Sequence, residues 1–408
     1  MKKIITKNFF LNIITLIISL LIALLITNFL LINLSPKKIF PRSLAGSLPN
    51  ILLTFYAKTY NEKILDNYIA LLGDSYAQGN GDAYLNGTED YSIGHHLYNN
   101  NKNKNYLQFG RAGYGSISAV SNLIKIHKFS QDSFFIKDLK KPETIIFFFY
   151  EGNDLHSNII EYKKFIRNNE KISNYVSRRI EKNTKLNTSD LLESNFPILF
   201  FFGEFYYDFK HLFKKIYEEK NFKEIKNLII SRIKKLFGYT IVLNAEKKDN
   251  KTWTNSIKNH SKINNIRPVE GAALHLTNEE ILISLEIFFE SILQIKFWSK
   301  IDKIYIVYLP SPISSYKWNE PIVFHRRNYY DGDKTTTNKK NSLNSLFIRN
   351  KIKEFTSSNN IKFLDSTNFI LEKGKNTILH GPLDWHHFNY DGYKNVSSYL
   401  IESTKNEF

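Results

Sequence analysis

The run Thr144-Ile-Ile-Phe-Phe-Phe-Tyr150 constrains the fold more than any other stretch. It is almost wholly apolar and shows no polar alternation. A strand of this kind is buried on both faces, which calls for a parallel sheet covered by helices on each side. Tyr68-Ile-Ala-Leu-Leu72 and Asn105-Tyr-Leu-Gln-Phe109 read as two earlier strands, and Lys303 to Tyr308 and Ile361 to Leu364 as a fourth and fifth. Helical patterns lie between them. Ser116 can cap a helix that carries Val120, Leu123 and Ile124 on its apolar face. Thr277-Asn-Glu-Glu280 has the spacing of a capping box and opens a helix to about Lys300. Further helices run from about Ser342 to Ser357 and from the final motif to about Ser403. This alternation predicts an α/β fold, a three-layer, mostly parallel sheet flanked by helices. Functional loops then gather at the carboxyl ends of the strands.

The strand ends carry the chemistry. The first strand is broken by Gly73-Asp74-Ser75, which places a hydroxyl on a tight turn over rigid support. The second ends at Gly110-Arg-Ala-Gly113-Tyr-Gly115-Ser116, and the third at Glu151-Gly152-Asn153-Asp154. The C-terminal segment adds Asp384-Trp-His386-His387. A serine hydroxyl is a weak nucleophile and needs a base, which His387 supplies. Asp384, three residues earlier, can fix the imidazole tautomer and stabilise its charged form. The N–H groups of Ser75 and Gly113 and the side-chain amide of Asn153 suit an oxyanion hole. Other assignments stay open. His386 is an alternative base, and His380, Asp384, His386 and His387 are residue types that bind metals. Asp74 and Asp154 read as turn acceptors rather than acids.

In these motifs, and in their order, the chain resembles the SGNH (GDSL-like) hydrolase family. The resemblance covers about Tyr68 to Leu155 and Leu276 to Ser403. It implies an SGNH, flavodoxin-like sheet, with Ser75 as nucleophile, Gly113 and Asn153 completing the oxyanion hole, and His387 as base backed by Asp384. It implies no metal or organic cofactor. The third block departs from the family's Gly-x-Asn-Asp, since Glu151 precedes Gly152 and Asn153. The glycine block has three candidates, of which Gly113 lies at the turn expected before the helix.

The remaining chain bears on location. Lys2, Lys3 and Lys7 precede a stretch from Phe9 to Leu34 that holds no charged residue. At about 1.5 Å per residue it spans a bilayer core of about 30 Å. Residues 1–34 thus read as an uncleaved anchor, with the N-terminus inside and the domain outside, in the periplasm. A linker and lead-in helix occupy 35–66, the helix from Ile51 to Asp66, and the catalytic domain 67–408. A Lys- and Asn-rich helical insertion interrupts that domain at about 155–268. Within it Phe196 to Phe237 forms an amphipathic helical subdomain or a lid, and Lys247 to Asn265 a polar loop. His325-Arg326-Arg327 sits in a further polar loop. The formal net charge is +17, but the lysines are dispersed and no zinc-finger spacing or Arg-rich arm occurs, so nucleic acid is not expected as a partner. The absence of cysteine excludes disulfides and thiol catalysis. The expected activity is hydrolysis of an O-acyl ester on an envelope glycan or lipid. An O-acyltransferase using the same residues, and a non-catalytic envelope binding or assembly protein, are the alternatives.

Overall fold

The computed structural model describes residues 2–33, 67–86, 88, 90–132, 138–188, 190, 255–260, 266–319, 322–325, 334–404 and 407. The chain divides into two compact units. In the first, α1 (Lys2–Asn33) is described. Its described side chains run from Asn12 to Thr27, and all but Leu24 are exposed. Among residues with described side chains, no helix is long and apolar enough to cross a membrane. The linker, the lead-in helix at 51–66 and the segment 196–237 lie outside the described residues.

The second unit begins with β1 (Tyr68–Leu72), followed by the short helices α2 (Ser75–Gln78) and α3 (Asp82–Leu85) and by α4 (Ile93–Asn100). Next come β2 (Asn105–Gln108), α5 (Ser116–Asp132), β3 (Thr144–Tyr150), α6 (Asp154–Phe165) and α7 (Ile172–Asn183). The helix α8 (Asn278–Ser299) leads to β4 (Ile304–Leu309) and the single turn α9 (Pro312–Ser315). A hairpin of β5 (Ile322–His325) and β6 (Lys334–Thr337) precedes α10 (Asn338–Ser358), β7 (Lys362–Asp365), α11 (Thr367–Lys373) and α12 (Tyr390–Thr404).

Five strands form one sheet in the order β2-β1-β3-β4-β7, and every pairing in it is parallel. The chain reverses direction across the sheet between β1 and β3. Crevices at such a switch point, beyond the carboxyl ends of the strands, are where doubly wound sheets take ligands. All residues of β1, β3 and β4 are buried, as the unalternating runs require. One face of the sheet presents Leu71, Phe148, Tyr150 and Val307 to Leu97 of α4 and to Tyr393 and Leu400 of α12. On the opposite face the Phe288 ring of α8 lies 5.2 Å from Phe147 and 4.9 Å from Phe149. The capping box of α8 forms as its sequence demands, with Thr277 Oγ1 accepting the Glu280 N–H and Glu280 Oε2 accepting the Thr277 N–H at 2.9 Å.

Several elements differ from the expectation. Ser116 is the first residue of α5 rather than its cap. Its N–H donates to Asn158 Oδ1 at 2.8 Å, and Asn158 Nδ2 donates back to Ser116 Oγ at 2.8 Å. A side chain of α6 thus serves the orphan donor at the start of α5. Residues 154–185 open the stretch expected as an insertion. α6 packs on α8, and α7 packs on both α5 and α8, so these residues belong to the same compact unit as the sheet. The loop expected around His325 holds the antiparallel β5–β6 hairpin, with His325 opposite Lys334, while Arg326 and Arg327 lie outside the described residues. α10 begins four residues before Ser342, capped by Thr337 Oγ1, which accepts the Lys340 N–H at 3.1 Å.

Phe288→Ala removes the ring that fills the groove between Phe147 and Phe149 and is expected to lower the free energy of unfolding by about 3–5 kcal/mol. Phe297→Ala on the same helix, at a side chain 82% exposed, is expected to stay within about 0.5 kcal/mol of wild type. Urea denaturation of the two variants checks the assignment of the buried face.

Candidate active site

Ser75 is the first residue of α2, directly beyond β1. Asp74 caps that turn, its Oδ1 accepting the Tyr76 N–H at 2.8 Å. The nucleophile candidate is therefore set by a strand below and a capped helical turn above. Ser75 Oγ lies 2.8 Å from His387 Nε2, and His387 Nδ1 lies 2.6 Å from Asp384 Oδ2. Asp384 Oδ1 also accepts the N–H groups of His386 at 2.8 Å and His387 at 3.3 Å. Burial disfavours charge on Asp384, but the bond from His387, the nearby imidazoles and the backbone donor outweigh it and hold the carboxyl well below its usual range. An ionised carboxylate only accepts, so Nδ1 of His387 carries the proton and Nε2 is the acceptor that faces Ser75. Burial likewise opposes charge on His387, yet the hydrogen bond and charge of Asp384 raise its pKa above the ordinary 6.5. Ser75 Oγ also lies 3.2 Å from Asp74 Oδ2, whose pKa is raised by burial. The hydroxyl has one proton, and its shorter contact is with His387.

The oxyanion candidates sit at the ends of the two strands that flank β1. Gly113 has φ of +77°, and a Cβ there would meet nothing within 4 Å, so backbone conformation rather than space calls for glycine. Gly110 and Gly115 differ, since a Cβ would come within 2.5 Å of Ala77 Cβ and 2.7 Å of Asn158 Oδ1 respectively. Gln78 Oε1 accepts the Ala112 N–H at 2.7 Å, and the Arg111 N–H reaches the Gly73 carbonyl at 3.3 Å. These bonds tie the Gly113 loop to the nucleophile turn. Neither the Ser75 nor the Gly113 N–H has an acceptor among the described residues.

Asn153 precedes α6 at the N-cap position, where asparagine ordinarily bonds the first turn of its own helix. It makes no such bond, and its buried Oδ1 has no partner among the described residues. The side chain is thus not spent on local structure. Asp154 instead ties back to the strand, with Oδ2 accepting the Tyr150 N–H at 2.9 Å, and burial raises its pKa well above the carboxylate range. The two aspartates of the first and third motifs are turn acceptors.

The His386 imidazole lies outside the chain of hydrogen bonds. The His386 carbonyl accepts the Tyr76 hydroxyl, and the ring Nδ1 is buried without a partner among the described residues. His380 is wholly buried, with Nδ1 3.0 Å from the Tyr316 hydroxyl, and burial lowers its pKa to about 3. Among the described residues no group of three or more His, Asp or Glu side chains could hold a metal ion. No protein-family model matches the chain, and no curated protein matches it.

Sequence reasoning gave no role to three carboxylates around this site. Asp82, on α3, accepts the N–H of Leu383 at 3.0 Å and of Asp384 at 2.7 Å. Glu151 is wholly buried and anchors the third motif to β4. Glu270 accepts the Tyr150 hydroxyl at 2.9 Å. The Gly79-Asn80-Gly81-Asp82 run just after the first motif was the available hint for Asp82 alone.

Asp82→Ala frees both backbone donors, each bond to a charged acceptor being worth about 1.5–3 kcal/mol. The expected result is a fall of about 100-fold in the rate of covalent labelling of Ser75 by a fluorophosphonate. The melting temperature is measured alongside, and labelling of the folded variant at the wild-type rate would remove Asp82 from this role.

Proposed function

We propose that the chain is a serine esterase of the SGNH type, hydrolysing an O-acyl ester. The observation that carries the reading is the continuous line of hydrogen bonds from Ser75 Oγ through His387 to Asp384. Support comes from the N–H groups of Ser75 and Gly113, which have no acceptor among the described residues, and from the Asn153 side chain, which caps no helix turn, all beyond the carboxyl ends of neighbouring strands.

In this mechanism Ser75 Oγ attacks the acyl carbon as its proton passes to His387 Nε2. The imidazolium that forms faces Asp384, already ionised and hydrogen-bonded to Nδ1. The carbonyl oxygen takes up negative charge and is met by the N–H groups of Ser75 and Gly113 and by Asn153. Collapse of the tetrahedral intermediate breaks the bond to the alcohol oxygen, which leaves with the proton from His387. Water then repeats the sequence and releases the acid. Every step uses groups of the chain itself.

The substrate proposed is an acylated glycan or lipid of the cell envelope. The described side chains of α1, from Asn12 to Thr27, are apolar except for Asn12, Thr15, Ser19 and Thr27, and all but Leu24 are exposed, a pattern that a hydrocarbon environment accommodates. With the uncharged sequence from Phe9 to Leu34, it supports a single-pass anchor that holds the catalytic unit at the periplasmic face of the membrane.

A fluorophosphonate is expected to add once, at Ser75, and Ser75→Ala to abolish both the adduct and ester turnover; turnover surviving in that variant would sink the reading. Attack needs neutral His387, whose pKa is raised, so labelling should be full at alkaline pH and fall as pH drops through a midpoint above 6.5. Asp384→Asn removes the charge that raises that pKa and should move the midpoint downward while slowing the plateau rate. A pH series of labelling rates reads both effects.

A further inference from the structure

Glu270 lies on the segment that enters α8 and is half-buried. Its backbone is fixed beside the third motif. The Glu270 carbonyl accepts the Ile313 N–H at 3.3 Å, and three residues on, the Ala273 N–H donates to the Glu151 carbonyl at 3.1 Å. One carboxylate oxygen, Oε2, accepts the Tyr150 hydroxyl at 2.9 Å. That hydroxyl lies directly under Gly152, where a Cβ would stand 2.5 Å from it. The Tyr150 ring stacks on Tyr76 at 3.9 Å, and Tyr76 lies 5.2 Å from the His387 ring. Glu270 therefore borders the turn that carries Asn153 and is separated from the candidate base by two tyrosine rings.

The second oxygen, Oε1, has no hydrogen-bond partner among the described residues and is not one of their sealed, unpartnered atoms. The field of the carboxylate also reaches the machinery, since it helps to raise the pKa of His387 and of Asp74. A carboxylate with one oxygen locked and the other open is a fixed acceptor that can receive a hydroxyl proton. Nothing in the hydrolytic steps employs it.

We infer that Glu270 Oε1 binds a free hydroxyl on the alcohol portion of the substrate, so that the site takes esters of polyols and sugars in preference to esters of plain alcohols. The inference rests on the esterase reading and narrows its substrate class. The hydroxyl donates to Oε1 while the ester carbonyl lies at Ser75. A plain alkyl alcohol would leave that oxygen with water alone. No bond is made or broken at Glu270.

The test compares glycerol 1-acetate with propyl acetate, which share the acyl group and differ in the hydroxyls of the alcohol. Glu270→Gln is the informative variant. Its amide oxygen can still accept from Tyr150, while the open oxygen is replaced by an NH₂ donor. Rates are taken on the alkaline plateau, where the altered charge near His387 no longer changes its protonation. Wild type is expected to prefer glycerol 1-acetate in kcat/KM. The variant is expected to lose about 10-fold or more of that preference, chiefly through KM, the scale of one hydrogen bond to a charged group. Equal losses for the two esters, or none, would overturn the subsite and leave the esterase reading standing. A wild-type protein that is folded yet turns over neither ester and takes no fluorophosphonate would overturn both.

Discussion

The contact between Ser75 and His387 joins residues 312 positions apart, and the geometry of the site depends on how the two ends of the unit are strapped together. Three straps cross between the segments 76–82 and 383–393. The Tyr76 hydroxyl donates to the His386 carbonyl, and the Tyr393 hydroxyl to the Asn80 carbonyl. Asp82 takes the two successive N–H groups of Leu383 and Asp384. Beneath them α12 packs against α4, with Tyr393, Val396 and Leu400 in the core shared with Ile93 and Leu97. Each strap joins the nucleophile's surroundings to the acid–base loop at a different point, so that loop has little freedom to slide. A displacement of about 1 Å in such a pair of groups is catalytically expensive, which is the physical reason for so many buried bonds in one place.

The electrostatics follow from the same packing. The chain carries a net charge of +17, yet the His387 imidazole that faces Ser75 is bonded to one carboxyl, Asp384, and the Ser75 hydroxyl lies 3.2 Å from another, Asp74. Their environments divide them. Asp384 is held ionised by the imidazole it orients, whereas burial pushes the Asp154 carboxyl up, and the neighbouring Asp74 and Glu270 add to that shift. Pairs of acids driven in opposite directions within one site allow a carboxylate to support an imidazolium without gathering several negative charges around a nucleophile. These arrangements favour His387 in its charged form, which suits a group that must hold a proton between attack and departure of the alcohol.

Much of this fold was legible because the central strands are apolar on both faces. β1, β3 and β4 were placed to within a residue or so from runs such as Ile145-Ile-Phe-Phe-Phe149, and α8 from its capping box. The β5–β6 hairpin was not, because a strand as polar as Lys334-Thr-Thr-Thr337 offers only the β-branching of its threonines as a signal. α6 and α7 open the stretch expected as an insertion, and Leu155, Tyr175 and Val176 carry their burial. The residues converging on Ser75 could be named from motif order. The straps could not, since Asp82 meets Asp384 across 302 positions and no local pattern encodes that meeting.

The departure at Glu151 makes the same point in a single residue. Its side chain is wholly buried, and an isolated carboxylate there would be severely destabilising. It is supplied with four donors instead. Oε1 accepts the Ser311 N–H at 2.8 Å, the Ser311 hydroxyl at 2.6 Å and the Ser314 hydroxyl, and Oε2 accepts the Tyr308 hydroxyl. All four belong to β4 or to the turn beyond it. Asn341 of α10 in turn donates to Ser314 at 2.9 Å, extending the network outward. The strand that ends at Tyr150 is thereby locked to its neighbour just where the chain turns toward Asn153. With Glu151 fixed in this way, the next residue must pass over the Tyr150 ring, where a Cβ would stand 2.5 Å from it, and only glycine fits. The sequence Glu151-Gly152 is thus a matched pair, in which a buried, fully hydrogen-bonded carboxyl sets the start of the turn and the glycine permits its path.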